Sequence, residues 1–221
     1  GNETITAPNL ATTINAGNGN DIIDGGAGAD ALVGGGGDDV YLFNTNDVAS
    51  GESITDSGGS ADVVAIVTTT DFANMPVASL DNIEQIRFAG ANQTATFTGL
   101  QLTGETLSLR ETVAGTSNLI INMGSGETAT FTNMTATSFT SGTDTITING
   151  AAGNESITGS NLAIIFDGGA GVDTLVGGSG NDVYRFDTND VASGESITDS
   201  GGSADVVEIV TTTDFATNMP V

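Results

Sequence analysis

Residues 16–42 read AGNGNDIID, GGAGADALV and GGGGDDVYL, three consecutive nonapeptides on the pattern Gly-Gly-x-Gly-x-Asp-x-apolar-x, with Ala16 in place of the first glycine. Two more, GGAGVDTLV and GGSGNDVYR, occupy residues 168–185. The apolar eighth position keeps its register beyond the motif, at Ile5, Ile14, Ile23, Leu32 and Tyr41, and again at Phe139, Ile148, Ile157, Phe166, Leu175 and Tyr184. Glycine takes positive φ without a Cβ clash, so the first six residues can form a tight turn. The last three are extended, and the two-residue alternation of a strand points the eighth residue inward. Two nonapeptides then make one 18-residue coil of turn, strand, turn, strand. Stacked coils pair their strands in parallel, bury a column of Ile, Leu, Phe and Tyr, and line up turn carbonyls and Asp carboxylates along each edge. An oxygen-rich, negative groove without a basic partner suits Ca²⁺.

Working outward, residues 43–73 and 186–216 are near-identical 31-residue stretches that differ only at Asn44/Asp187 and Ala65/Glu208. GNETIT at 1–6 recurs as GNESIT at 153–158, an offset of 152, whereas the offset after Tyr41 and Tyr184 is 143. The first copy therefore carries one extra nonapeptide. An MPV phrase ends at Val77 and at Val221, which sets a tandem period of about 144. Three regions follow: 1–77, a first roll with its trailing segment; 78–149, a Thr/Asn-rich β-stretch; and 150–221, a second copy of the roll.

Composition narrows the chemistry. The 221 residues carry 28 Asp and Glu against 3 Lys and Arg, a formal net charge of −25, with no His, Cys or Trp. All three cations are arginines, Arg87, Arg110 and Arg185. Disulfides, thiolate chemistry, histidine-based triads, zinc helices and lysine Schiff bases are excluded. The charge opposes nucleic acid and anionic lipid and favours hard cations. Hydrophobic residues make up 38%, enough apolar material for a core. No apolar run is long enough to span a membrane. Gly1 reads as the start of a segment inside a longer chain, without the basic and apolar regions of a signal peptide.

The nonapeptides GGAGADALV–GGGGDDVYL and GGAGVDTLV–GGSGNDVYR closely resemble the RTX family of bacterial secreted proteins, and YLFNTNDVASGESITDSGG looks like the segment that often follows such arrays. The resemblance covers about residues 16–66 and 150–209. It implies an all-β, right-handed parallel β-roll or β-solenoid, Ca²⁺ held between turns two units apart, export by a type I system and folding outside the cell. Carried over position by position, it implies a metal set of Gly17, Gly19 and Asp21; Gly26, Gly28 and Asp30; Gly35, Gly37 and Asp39; Gly169, Gly171 and Asp173; and Gly178, Gly180 and Asp182. Asp21 and Asp39 are 18 residues apart and should face one another on one edge, with Asp30 on the other. By spacing Asp30 meets Thr12 or Val48, with Asp47 as a neighbouring substitute. Asp173 meets Glu155, and Asp182 meets Ile164 or Ser200, with Asp199 adjacent. One good site in the first copy and weaker ones elsewhere are expected.

Between the rolls, apolar peaks recur about every 8–12 residues, and TATFT, TLSL and TITI alternate as strands do. A looser solenoid joining the two rolls into one rod is preferred, because the nine-residue register runs from Phe139 into the second roll. A β-sandwich is the alternative. Asp47, Glu52, Asp56 and Asp62 and their copies read as a solvated acidic face, Tyr41 and Tyr184 as core at the end of a roll, and the arginines as surface charges or internal salt bridges. Paired acids suit glycoside cleavage, but the acids here fall in turn motifs, so no enzyme is expected. The sequence points to a structural, calcium-stabilised tandem repeat of a secreted bacterial surface protein, forming a filament, surface layer or adhesin stalk and self-associating through further copies. A calcium-dependent folding and secretion module of an enzyme is the alternative. Asp21→Ala and Asp39→Ala should each raise the calcium midpoint for folding, followed by far-UV circular dichroism, while Asp71→Ala leaves it unchanged; equal effects from all three contradict the assignment.

Overall fold

The computed structural model describes residues 1–140, 143–188 and 190–211; the second copy's Asn189, Thr212–Ala216 and the MPV phrase at Val221 lie outside them. The regular elements among the described residues are almost entirely short strands, with one 3₁₀ turn at Val77–Leu80 and one helical turn at Gly99–Leu102, the latter opened by a Thr98/Gln101 capping box. The chain forms two compact units. The first comprises Gly1–Phe97, Thr106–Asn118 and Ala136–Asp144, and the second Thr98–Glu105, Leu119–Thr135 and Thr145–Val221.

In the first unit, strands Thr4–Thr6, Ile22–Asp24, Val40–Phe43, Val63–Ile66, Gln85–Phe88 and Ser108–Glu111 stack as one parallel ladder. Their inward residues run in register as Ile5, Ile23, Tyr41, Val64, Ile86 and Leu109. A second parallel ladder, Thr13–Asn18, Ala31–Gly36 and Ser53–Thr55, aligns Ile14, Leu32 and Ile54. The first two coils thus have the 18-residue period of paired nonapeptides, and later coils lengthen to 22 or 23 residues without losing register. This is a parallel β-solenoid, and Gln85–Phe88 and Ser108–Glu111 carry it on into the Thr/Asn-rich stretch, against the sandwich alternative. Thr70–Asp71 pairs with Thr94–Thr98, and beneath them Phe72 stacks on Phe97 at 4.5 Å and meets Phe43 edge-on at 5.1 Å. All three rings are buried.

The second unit repeats the plan. Thr145–Asn149, Ile165–Asp167, Val183–Phe186 and Val206–Ile209 align Ile148, Phe166, Tyr184 and Val207. Thr128–Thr130, Ser156–Thr158, Thr174–Val176 and Ser196–Thr198 align Ala129, Ile157, Leu175 and Ile197. A nonapeptide is half a coil, so losing one moves everything before it to the other ladder. Ile5 shares the ladder of Tyr41, whereas its sequence counterpart Ile157 lies in the ladder opposite Tyr184. Phe139 departs from the expected register: it packs in the first unit, its ring 5.7 Å from Phe88, and the periodic column of the second unit begins at Ile148.

One difference between the copies is a matched exchange. Leu42 lies opposite Ala65 in the first, and Arg185 opposite Glu208 in the second, where the pair makes an exposed 2.8 Å ion pair.

The turns stack closely. Gly17 and Gly35 both hold positive φ, +99° and +113°, but a Cβ on Gly17 would meet nothing within 4 Å, whereas one on Gly35 would lie 2.1 Å from the Gly17 carbonyl oxygen. Gly17→Ala should therefore cost only the conformational penalty, about 1–2 kcal/mol, and Gly35→Ala clearly more. Thermal melting in saturating calcium checks this; equal losses contradict the stacking.

Candidate metal centre

The sixth-position Asp side chains point into the stack, each reaching back one coil to cap a backbone amide. Along one edge of the first unit, Glu3 N–H donates to Asp21 Oδ1 at 2.7 Å, Asp21 N–H to Asp39 Oδ1 at 2.8 Å, Asp39 N–H to Asp62 Oδ1 at 2.6 Å, and Asp62 N–H to Glu84 Oε2 at 2.8 Å. Along the other, Thr12 N–H donates to Asp30 Oδ1 and Asp30 N–H to Glu52 Oε2. In the second unit, Glu155 N–H donates to Asp173 Oδ1, Asp173 N–H to Glu195 Oε2, Ile164 N–H to Asp182 Oδ1 and Asp182 N–H to Asp205 Oδ1.

These contacts place the sequence-derived residues. Asp21 and Asp39 are neighbours on one edge, and Asp30 is on the other. Asp30 is topped by Glu52, not Val48 or Asp47, because the coil has grown to 22 residues and the longer side chain reaches back. Asp173 sits between Glu155 and Glu195, and Asp182 between Ile164 and Asp205. Asp47, Glu52, Asp56 and Asp62 do not form a solvated face: all four are buried, as are Asp190 and Glu195 in the second copy, while Asp199 and Asp205 are exposed. The trailing coil folds back over the roll, and its acids become part of the stack.

The glycines divide into two roles. Gly17, Gly19, Gly26, Gly28, Gly35, Gly37, Gly169 and Gly171 take positive φ. At Gly178 and Gly180 the constraint is close approach, since a Cβ would lie 1.8 Å from the Ser160 carbonyl oxygen and 2.3 Å from that of Leu162. The first glycine of each motif, absent from the sequence-derived set, leaves room for a carboxylate. A Cβ on Gly25, Gly34, Gly168 or Gly177 would lie 2.8, 2.2, 2.8 or 2.6 Å from Oδ2 of Asp30, Asp39, Asp173 or Asp182. The doubled glycine at the head of each motif was its sequence signal. A second polar ladder runs the other way from the fifth position, whose side chain reaches forward one coil: Asn20 Oδ1 accepts from Asp38 N–H, Asp38 Oδ1 from Ser60 N–H, Asn154 Oδ1 from Val172 N–H and Asn181 Oδ1 from Ser203 N–H.

At most of these carboxylates capping uses only one oxygen; at Asp182 and Glu155 both oxygens accept backbone amides, Asp182 Oδ2 from Gly178 N–H and the two Glu155 oxygens from Gly126 and Ala151 N–H. Oδ2 of Asp21, Asp30, Asp39 and Asp173, and Oε1 of Glu195, are buried with no hydrogen-bond partner. A buried carboxylate oxygen without a donor is costly. Among the described residues no arginine pairs with these acids, whose nearest charges are other acids. Unmatched anionic oxygens, a space that a Cβ would fill and adjacent turn carbonyls fit a hard divalent cation.

Burial pushes Glu52, Asp62 and Glu195 up to about 7 and Asp173 and Asp190 up to about 6, and raises Asp30, Asp39 and Asp182; neighbouring carboxylates add to the shift.

The family model of the RTX calcium-binding nonapeptide repeat, in four copies, matches residues 10–41 and 165–185. No curated protein and no solved structure matches the chain.

Carboxyls whose folded-state pKa is raised stabilise the fold fully below their unfolded value, near 4, and lose that contribution as pH rises through the folded value. In chelator, the melting temperature should therefore fall as pH rises from about 4 to about 7. A calcium-free protein that melts higher at neutral pH than at pH 5 contradicts the assignment of these groups.

Proposed function

We propose that this RTX-type calcium-binding repeat protein is a structural, calcium-stabilised tandem repeat of a secreted bacterial surface protein, serving in an extracellular filament, surface layer or adhesin stalk. The observation that carries the reading is the repeated set of buried carboxylates with one oxygen unmatched, present in both near-identical copies. Calcium, when bound, supplies the positive charge that these oxygens lack. Asp21, Asp30, Asp39 and Asp173 would face the ion with their unmatched oxygens, Asp182 and Glu155 would share a ligand oxygen with an amide, and the turn glycines let successive coils approach. Without the cation, the same side chains repel one another, and the glycine-rich turns are costly to order. A ligand that binds only the folded chain stabilises it by mass action, and extracellular calcium modules typically bind with Kd of about 10⁻⁴–10⁻³ M. Folding would then wait for calcium levels found outside the cell, consistent with export before folding. The acids serve as amide caps and stacking elements, which supports a structural role without catalysis.

Self-association is part of the proposal. Val63–Ile66 is buried and paired on both edges, by Val40–Phe43 and Gln85–Phe88. Its copy Val206–Ile209 pairs, among the described residues, only with Val183–Phe186, and Val206, Val207 and Ile209 are exposed. In the first copy this strand face takes Gln85–Phe88 as a further parallel strand, and a strand of this composition is a template for one, from a following repeat or from another chain.

At neutral pH, where the stacked carboxyls are ionised, far-UV circular dichroism should show β-structure appearing with millimolar-scale calcium and lost in chelator. Sedimentation velocity should show calcium-dependent association that Val207→Lys weakens. A chain equally folded in both conditions, or monomeric at every concentration in calcium, contradicts the respective part.

A further inference from the structure

The last turn of each roll gathers acids that the nonapeptide pattern does not contain. Carboxylate oxygens of Asp39, Asp56 and Asp62 lie within 4.8 Å of one another, and all three residues are buried. Thr55 pairs with Val33, so Asp56 follows in register over Gly34, an aspartate where the motif has its first glycine. Three oxygens converge on Gly34. A Cβ there would lie 2.2 Å from Asp39 Oδ2, 2.2 Å from the Tyr41 hydroxyl and 2.7 Å from Asp56 Oδ2. Tyr41 donates its hydroxyl to Asp56 Oδ2 at 2.5 Å, but Asp39 Oδ2, fully buried and aimed into the same space, has no partner. On the far side, a Cβ on Gly59 would lie 2.3 Å from Asp62 Oδ2 and 2.4 Å from the Gly37 carbonyl oxygen. Residues of the next coil close over the cluster: Asn82 Nδ2 donates to the Asp56 carbonyl, and Glu84 caps the Asp62 amide.

The second copy repeats the arrangement. Asp182, Asp199 and Asp205 converge in the same way. Tyr184 donates to Asp199 Oδ2 at 2.7 Å, and a Cβ on Gly177 would lie 2.1, 2.6 and 2.8 Å from the Tyr184 hydroxyl, Asp182 Oδ2 and Asp199 Oδ2. Asp56, Asp62, Asp199 and Asp205 all lie outside the residues matched by the nonapeptide family.

We propose that Asp39, Asp56 and Asp62, with the Tyr41 hydroxyl beside them, form a divalent-cation site that closes the roll, and that Asp182, Asp199, Asp205 and Tyr184 form its copy. The proposal rests on the calcium reading of the turns and extends it to a site built by the trailing segment. Three carboxylates and a carbonyl form an all-oxygen donor set, and such a set selects a hard cation. A single proton would neutralise only one of the three charges. The ion would clamp the trailing coil to the last nonapeptide turn, since Asp39 belongs to the turn and Asp56 and Asp62 to the coil above it.

The two tyrosines and the absence of tryptophan provide a direct probe. Terbium is used as the calcium surrogate, and its emission is excited through tyrosine in the full chain carrying Tyr184→Phe, so that Tyr41 alone reports. Emission should appear on titration and be displaced by calcium. Asp56→Asn should remove most of it and raise the terbium midpoint about tenfold, because affinity follows ligand charge, while Asp71→Ala changes neither. An Asp56→Asn chain with unchanged emission and midpoint overturns the proposal. Should that variant fail to fold in calcium, Asp199→Asn in a Tyr41→Phe chain gives the same readout at an exposed acid, and unchanged emission there overturns it equally. A parent chain dark with terbium but still folding with calcium overturns this site alone. One that responds to neither ion overturns the calcium reading beneath it.

Discussion

A buried carboxylate that spends one oxygen on a backbone amide and has nothing for the other is the constraint around which this molecule is organised. The amide cap ties each coil to the next. The unmatched oxygen makes the stack incomplete without a cation. With three arginines in the chain and none of them at the stack, the missing charge has to come from solution. Stability, charge and environment are thereby linked: the acids that specify the register also oppose folding until an ion offsets them.

The glycines follow from the same requirement. At the first motif position glycine leaves the volume that the inward carboxylate occupies, and at the second and fourth it lets the turn take positive φ or, as at Gly178 and Gly180, press against the carbonyls of the coil below. Replacing glycine by aspartate at the first position, as at Asp56 and Asp199, puts a second carboxylate where the first one points. Tyr41 and Tyr184, buried as core residues, also carry a hydroxyl to that point.

Much of this was legible in the sequence because a nine-residue period fixes both the inward column and the stacking partner. Ile23 over Ile5, Leu32 over Ile14 and Asp39 over Asp21 all follow from counting to 18. Counting fails where coils lengthen. Glu52 sits 22 residues after Asp30, and Asp62 sits 23 after Asp39, offsets that hide them among ordinary surface acids. The fifth-position ladder was invisible because its donors are backbone amides, at Asp38, Ser60 and Val172 alike, so only the accepting Asn or Asp leaves a trace in the sequence. Phe139 fell on the nine-residue grid by position alone, and packing against Phe88 decided its place.

The most direct test is a crystal structure of the chain grown in calcium, with anomalous difference density collected to locate the ions. Peaks beside Oδ2 of Asp21, Asp30, Asp39 and Asp173, with the amide caps intact, are the predicted result. Well-ordered turns with those oxygens bare, or paired to protein donors, would contradict the account.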